Sequence, residues 1–310
     1  SDRSQQEQVK SGFIGIAGRP NVGKSTLMNR MLGEKIAITS AKPQTTLNRI
    51  TGIYTDLEYE NGEGLQMVFL DTPGIHKPHN KLGQAINETA VNTLNGVDVV
   101  LLIVDGTLDF GRGDEAILRI LETISAPKIL AINKTDLIGP EKYLELYNRY
   151  DSTGLFDDIY GVSALKGDNI DMLRDRLAAC TNEGPMYYPD DIATEDPVRF
   201  IVSEIIREKL MNYLDDEVPH GVFVEIESFV EPEDPRAAVE ISAVIYCEKK
   251  SHKGIIIGKG GSKLKGVGKA ARLEIEDLLG CKVFLSLFVK VKEGWRDSER
   301  TIRSWGYKDE

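Results

Sequence analysis

Cysteine and long hydrophobic runs are scarce in this chain of 310 residues. Its three cysteines, Cys180, Cys247 and Cys281, are widely separated and lack metal-ligand spacing, which argues against a disulfide framework and a zinc site. No apolar run approaches the roughly 20 residues of a membrane-spanning helix. The polar residues 1–5 resemble neither a secretory nor a transit signal. We therefore expect a soluble intracellular protein with reduced thiols.

The chain is long and apolar enough for two domains. It is 41% hydrophobic and carries a net charge of −11. Apolar strands and amphipathic helices alternate between about residues 12 and 180, which predicts an α/β domain with a mainly parallel sheet and helices on both faces. Glycine, proline and acidic residues over 181–197 indicate a linker. We expect a tail over 1–11, domains over 12–180 and 198–294, and a C-terminal helix and tail over 295–310.

Residues 18–25 form a complete phosphate loop of the pattern G-x-x-x-x-G-K-[ST]. An apolar strand precedes the loop and a helix follows it, which is the context that the motif requires. Lys24 is expected to reach the β- and γ-phosphates, and Ser25 to ligate Mg²⁺. The predicted contacts of this segment are Gly18, Arg19, Pro20, Asn21, Val22, Gly23, Lys24, Ser25 and Thr26.

A second phrase, Asp71, Thr72, Pro73 and Gly74, follows an apolar strand. A carboxylate at the end of such a strand lies on the magnesium side of a phosphate-loop enzyme, so Asp71 is a predicted metal residue. The amide of Gly74 can contact a γ-phosphate. That contact exists with GTP and is lost with GDP, which predicts a switch from Thr72 onward.

A third phrase selects the base. Asn133, Lys134 and Asp136 follow the apolar strand 129–132, and a carboxylate at Asp136 accepts two hydrogen bonds that guanine donates and adenine does not. Ser163, Ala164 and Leu165 follow another short strand, and their backbone N–H groups can reach the guanine oxygen. The three phrases together predict a guanine-nucleotide switch that binds GTP and GDP.

The second half predicts a KH domain of type II-like order: a helix, two strands, Gly-x-x-Gly between helices, and a closing strand. In that module the Gly-x-x-Gly backbone clamps about four nucleotides of a single strand. Eight Lys or Arg and no acidic residue occupy 249–272, which supports phosphate binding, although a solvated lysine-rich surface would show the same pattern. The predicted RNA contacts are Lys253, Ile257, Gly258, Lys259, Gly260, Gly261, Ser262 and Lys263.

A GTPase domain followed by one KH domain, with Gly18–Ser25 and Pro43-Gln44-Thr45-Thr46, resembles the bacterial Era family over essentially the whole chain. The resemblance implies a GTP-hydrolysing factor that binds the 3′ end of 16S ribosomal RNA and assists maturation of the small (30S) subunit. It implies Lys24, Thr46, Gly74 and Asn21 as catalytic residues, and Ser25, Thr46 and Asp71 as magnesium residues. The chain departs from relatives at Leu47 and Asn48, where a basic residue is common.

Many Ras-like enzymes place a glutamine after the glycine that corresponds to Gly74, and this chain has Ile75, which cannot orient water. Hydrolysis should then depend on phosphate positioning and charge neutralisation, and should be slow without help. In some relatives the asparagine that matches Asn21 binds K⁺. Asn21 is accordingly a candidate K⁺ ligand, and bracing of the loop is an equally open role.

Other residues are weaker candidates. His76 and His79 flank Lys77-Pro78, and they are expected to be solvated loop residues rather than a general base. Trp295 and Trp305 could stack on bases, but packing against a C-terminal helix is the expected role.

The resemblance and the basic segment define the expected partners. These are GTP or GDP, the single-stranded 16S rRNA 3′ end and the small subunit, with no DNA and a monomeric chain. A cytoplasmic location is expected, and peripheral association with the inner face of the cell membrane stays open. The alternative functions are a signalling or membrane-recruited GTPase whose basic surface binds anionic lipid or a protein, and a passive RNA-binding component, which the complete nucleotide site disfavours.

Overall fold

The computed structural model describes residues 8–33, 50–59, 63–75, 81–194, 196–214, 218, 221–232 and 237–305. The described residues up to 194 form one compact unit, and those from Asp196 to Trp305 form a second. In the described part of the chain, no helix has the length and apolarity needed to cross a membrane.

The first unit alternates strands and helices. In chain order its elements are β1 (Gln8–Gly18), α1 (Lys24–Leu32), β2 (Ile50–Asp56), β3 (Leu65–Asp71), α2 (Lys81–Asn95), β4 (Val99–Asp105), α3 (Arg112–Glu122), β5 (Lys128–Asn133), α4 (Pro140–Asp151), β6 (Asp158–Gly161), α5 (Ile170–Ala178) and β7 (Asn182–Pro185). A short 3-10 helix, Thr135–Leu137, lies between β5 and α4.

These strands form one sheet in the order β2-β3-β1-β4-β5-β6, with β7 paired to the start of β1. Strands β3, β1, β4, β5 and β6 are mutually parallel, whereas β2 and β7 pair antiparallel with their neighbours. Ile16 is in register with Asp71, and Asp105 with Asn133. The carboxyl ends of the parallel strands therefore meet at one edge, where ligands of such sheets bind.

Burial on both sides explains the sequence of the central strands. Every residue of β3 and β5 is buried, as expected for strands of a parallel sheet covered by helices. On one face the strands pack against α2, α3 and α4, through residues such as Leu94, Leu121 and Tyr150. Helices α1 and α5 contact each other and β1. The predicted mainly parallel sheet with helices is confirmed.

Strands β2 and β7 and helix α2 are findings that sequence patterns did not predict. The segment predicted as a linker, 181–197, begins with β7, in which Gly184 pairs with Val9. The composition of β7, Asn-Glu-Gly-Pro, is typical of a loop, and only its antiparallel pairing with β1 makes it a strand.

The second unit has the predicted KH order. Its elements are α6 (Val198–Tyr213), β8 (Phe223–Val230), β9 (Val239–Cys247), α7 (Lys250–Ile257), α8 (Ser262–Leu279), β10 (Val283–Val291) and α9 (Glu299–Ser304). The sheet order is β10-β9-β8, with β10 parallel and β8 antiparallel to β9. Buried residues of α6, α7 and α8, including Ile206, Ile256 and Ala271, form one core with the sheet.

Both tryptophans pack within the second unit. Trp295 is buried, and its indole N–H donates to the carbonyl of Gly221 at 3.2 Å. Trp305 stacks on Phe223 at 4.0 Å between ring centroids and meets Trp295 edge to face. Packing, the expected role, is what the structure shows.

Candidate functional site

The phosphate loop connects β1 to α1 at the carboxyl edge of the first sheet, and two of its glycines are sterically required. Gly18 has φ 156°, and a side-chain carbon there would lie 2.5 Å from the carbonyl oxygen of Ile103. Gly23 has φ 102°, and its side-chain carbon would lie 2.2 Å from Nδ2 of Asn133. The loop thus holds its backbone close to β4 and β5 and ends at the N-terminus of α1, which is the kind of helix end that binds phosphate.

Lys24 is buried at the start of α1, where its Nζ donates to the carbonyl of Arg19 at 2.9 Å. Burial lowers the pKa of this lysine to about 8, and the nearby Asp71 carboxylate partly opposes that shift. The lysine is therefore folded across its own loop, within reach of any phosphate that the loop binds.

Ser25 and Asp71 are brought together by the pairing of β1 with β3. The hydroxyl of Ser25 donates to Oδ2 of Asp71 at 2.7 Å, and both residues are buried. Thr72 donates from its hydroxyl to the carbonyl of Ile16 at 2.6 Å, which ties the Asp71–Gly74 phrase to β1. A hydroxyl and a carboxylate are oxygen ligands that suit Mg²⁺, so this pair fits the predicted metal position.

Asn133 links the phosphate loop to the third phrase. Its Nδ2 donates to the carbonyl of Val22 at 2.9 Å, and its Oδ1 accepts from the amide of Ala164 at 2.9 Å. Next to it, Oδ1 of Asp136 accepts from the hydroxyl of Ser163 at 2.7 Å. The side chain of Asp136 is only 6% exposed, so this carboxylate has a fixed position beside the loop 163–165.

Lys134 links the third phrase to the phosphate loop and to the end of β4. Its backbone is left-handed, with φ 65°, and its Nζ donates to the carbonyl of Asn21 at 3.1 Å and to the carboxylate of Asp105. The sequence-predicted residues of all three phrases thus meet at one edge of the sheet.

Three residues that contact the predicted site residues were not predicted from the sequence. Arg30, at the end of α1, donates to the carbonyls of Ala164 and Leu165. Asp114, in the first turn of α3, accepts from Arg19 at 3.2 Å and from the amide of Gly111 at 3.0 Å. Lys166 lies 3.9 Å from Asp136. No local motif marks Arg30 or Asp114, because their partners are distant in the chain.

Ile75 has a structural role that the sequence did not suggest. It is 4% exposed and belongs to the core beneath the sheet, while its amide donates to the carbonyl of Gly18 at 3.1 Å. Its side chain therefore points into the protein, and this position supplies no group that could orient water.

The second candidate site lies in the second unit, between α7 and α8. Gly258, Gly260 and Gly261 have positive φ of 72°, 59° and 77°, and Gly260 and Gly261 are in the left-handed region, so the Gly-x-x-Gly segment is a turn that suits glycine. A side-chain carbon on Gly258 would lie 3.0 Å from the amide of Lys263, whereas one on Gly260 would meet nothing within 4 Å.

The other predicted RNA residues surround this turn. Lys259, Gly260 and Ser262 are exposed, and Lys253, Ile257, Gly261 and Lys263 are partly exposed. An exposed glycine turn between two helices, with lysines on both sides, can contact a nucleic-acid backbone.

Two groups of residues considered from the sequence lie outside the described residues: those over 43–48, which include Thr45 and Thr46, and those over 76–79, which include His76 and His79. The predicted magnesium and catalytic role of Thr46 therefore stays a prediction.

The fold and the site define a guanine-nucleotide-binding phosphate-loop protein with a C-terminal KH domain. Family comparison agrees: residues 13–134 match the model described as 50S ribosome-binding GTPase, and residues 217–296 match the KH domain model. The chain is 54% identical to GTPase Era of Alkaliphilus oremlandii over 96% of this chain and 99% of that protein. It is 51% identical to GTPase Era of Clostridioides difficile over 97% and 99%. The chain belongs to the Era family of GTPases.

Two solved Era structures agree over the full length. One is a single-residue variant of Aquifex aeolicus Era bound to GDP and AlF4⁻, and the other is an Era in complex with MgGDPNP and nucleotides 1506–1542 of 16S ribosomal RNA. Each is 37% identical, has a TM-score of 0.91 and covers 97% of this chain and 100% of its own.

Proposed function

We propose that this GTPase is an assembly factor of the small ribosomal subunit that binds the 3′ end of 16S rRNA through its KH domain. The observation that carries the proposal is the Gly258–Gly261 turn, exposed between α7 and α8 and flanked by Lys253, Lys259 and Lys263 in an acidic chain. The RNA named in the complex of a 37% identical Era supports the same choice of partner.

The nucleotide site supports a role for each predicted residue. The phosphate loop and the start of α1 bind the phosphates, with Lys24 neutralising the β- and γ-oxygens. Asp136 accepts from guanine, and Asn133 holds the base-facing loop against the phosphate loop. Gly74, with Thr72 and Pro73, contacts the γ-phosphate and responds to its loss.

Ser25 and Asp71, with Thr46, would hold Mg²⁺, which neutralises charge on the phosphates when it is bound. The MgGDPNP of the related complex supports this choice of metal. Because Ile75 is buried, hydrolysis depends on positioning and charge, and the unassisted rate is slow.

Asn21 is our candidate ligand for K⁺, which would supply positive charge near the phosphates. Hydrolysis should be faster in KCl than in NaCl at equal ionic strength, and Asn21→Ala should remove the difference. Equal rates of the unaltered protein in both salts would reject this role and leave Asn21 as a brace of the loop.

RNA binding is tested by electrophoretic shift with a labelled RNA of the 16S 3′ end and a scrambled RNA of equal length. The variant is Lys259→Asp/Gly260→Asp, because Asp tolerates the left-handed conformation of Gly260 and meets no neighbour there. Two carboxylates repel phosphate, so the affinity should fall by more than about tenfold. A suitable control is Lys282→Asp, which changes an exposed lysine beyond the C-terminal end of α8.

Retained affinity of the double variant would contradict the assignment of the clamp. The alternative of a membrane-recruited GTPase is tested with the same proteins on vesicles of neutral and anionic lipid. Binding to anionic vesicles without binding to RNA would favour that alternative.

A further inference from the structure

The loop that follows β6 is a single tight turn, residues 163–167, in which most amide groups have partners. The amide of Gly167 donates to the carbonyl of Ser163 at 2.7 Å, and the amide of Lys166 donates to the hydroxyl of Ser163 at 3.1 Å. The amide of Ser163 donates to the carbonyl of Asp168 at 3.1 Å. The turn is therefore closed on itself by its own hydrogen bonds.

The amides of Ala164 and Leu165 differ in whether they have an acceptor within the protein. That of Ala164 donates to Oδ1 of Asn133 at 2.9 Å. Within the described part of the chain, the amide of Leu165 is the one N–H of residues 163–167 without a protein acceptor. If the loop donates to a ligand, Leu165 is the residue whose N–H can do so without breaking a bond within the protein.

Arg30 fixes the direction of that amide. At the end of α1, its Nε donates to the carbonyl of Ala164 at 3.1 Å, and a terminal nitrogen donates to the carbonyl of Leu165. The Ala164 carbonyl and the Leu165 N–H belong to one planar trans peptide group, so they point in opposite directions. Holding the carbonyl toward α1 therefore points the N–H away from α1.

Among the described residues, the hydrogen bonds that close the turn involve neither the Ala164 carbonyl nor the Leu165 N–H. The side chain of Leu165 is on the surface, with 74% of the residue exposed, so hydrophobic packing does not fix its orientation. The bond from Nε of Arg30 to the Ala164 carbonyl does fix it, and the second bond, to the Leu165 carbonyl, holds the next peptide group along the chain. Bonds from a charged donor are stronger than those between neutral groups.

We propose that Arg30 is a positioning residue for guanine recognition, because it aims the Leu165 amide N–H at the guanine O6. This inference rests on the proposed reading of guanine by Asp136 and the loop 163–165. Adenine carries an amine where guanine carries O6, so an N–H fixed there faces a donor and disfavours adenine. Arg30 thereby adds to base selection without touching the base.

The test compares three nucleotides by calorimetric titration. GDP offers O6, inosine diphosphate keeps O6 but lacks the 2-amine, and 6-thioguanosine diphosphate replaces only O6 with sulfur, a weaker acceptor. The variants are Arg30→Gln, which removes the charge and the fork, and Arg30→Lys, which keeps the charge. Arg119→Gln, in the exposed last turn of α3, is the matched control.

Arg30→Gln should weaken GDP and inosine diphosphate alike, by about three- to tenfold, on the scale of one hydrogen bond to a charged or carbonyl group. The loss for 6-thioguanosine diphosphate should be less than about twofold, because the contact is already weak with sulfur. Arg30→Lys should fall between the unaltered protein and Arg30→Gln, and Arg119→Gln should bind all three as the unaltered protein does.

Equal losses for all three nucleotides would show that Arg30 acts only on the fold, and no loss would show that it does not orient the loop. Either result overturns the inference. If Arg30→Gln does not fold, Arg30→Lys takes its place. The ratio of its affinity for GDP to its affinity for 6-thioguanosine diphosphate is then compared with that of the unaltered protein, and an unchanged ratio overturns the inference. Failure of the base site itself is detected separately, because Asp136→Asn would then keep its preference for guanine.

Discussion

At the scale of single residues, Asp136 carries the choice of base in this account. Its side chain is 6% exposed, accepts from the hydroxyl of Ser163 at 2.7 Å, and lies beside a loop that Asn133 ties to the phosphate loop. A mostly covered carboxylate that is left without its donors costs far more than a lost surface contact, so we expect a base without such donors to bind weakly.

Replacing this carboxylate should change the preferred base. Asp136→Asn converts one acceptor oxygen to a donor, so affinity should shift from guanine toward xanthine nucleotides, with at least about a hundredfold loss for GDP. Titration with GDP and xanthosine diphosphate measures the shift. Retained GDP affinity would remove Asp136 from the base site.

Sequence reasoning identified residues where the chemistry demands a residue type at a fixed spacing. Lys24 and Ser25 follow Gly23 directly, and Asp71 ends an apolar strand, so local pattern is enough. Arg30 and Asp114 could not be found that way, since their partners are 134 and 95 residues distant in the chain. Only the packed sheet brings each pair together.

At the scale of elements, the start of α3 supports the phosphate loop. Asp114 accepts from the amide of Gly111 and from Arg19, and burial of the Tyr150 phenol, together with its hydrogen bond to Asp114, keeps the pKa of Tyr150 raised. The carbonyl of the same Arg19 accepts from Lys24. One carboxylate thus joins α3, α4 and the phosphate loop that precedes Lys24.

Removing Asp114 should therefore destabilise the first unit. Asp114→Ala leaves the buried Tyr150 phenol without its acceptor and removes the bond that caps α3 at Gly111, so the free energy of unfolding should fall by about 1–3 kcal/mol. Urea unfolding followed by circular dichroism measures it. The control Asp109→Ala, which breaks only a surface pair with Lys142, should leave the transition unchanged. Equal effects of the two changes would show that the network around Asp114 adds nothing.

Strand β5 was predicted to within one residue at each end, because its core residues 129–132 form a continuous apolar run. Strand β7 was not, because its four residues carry no strand pattern and depend on pairing with β1. Strand β2 is half of an antiparallel pair with β3, and its Ile-Thr-Gly-Ile-Tyr-Thr-Asp sequence gives a mixed signal. Pairing partners, rather than local propensity, decide such short edge strands.

At the scale of the whole molecule, the chain combines a nucleotide-binding unit with a KH unit, and each is expected to bind its ligand by different chemistry. In our proposal the first unit binds its nucleotide through backbone amides, a buried lysine and a carboxylate, and the second binds an RNA backbone at its lysine-flanked glycine turn. The sequence predicted both units, since each has a motif with a chemical reason. It could not predict whether RNA binding changes GTP hydrolysis, because coupling depends on the whole assembly rather than on a pattern.

Hydrolysis of GTP with and without a short RNA of the 16S 3′ end tests the central claim most directly. The unaltered protein and Lys259→Asp/Gly260→Asp are each compared with their own rate in the absence of RNA. We expect RNA to raise turnover of the unaltered protein, and the double variant to lose that increment. If the RNA neither binds nor raises turnover, or if the variant responds as the unaltered protein does, the account of one RNA-controlled GTPase is contradicted.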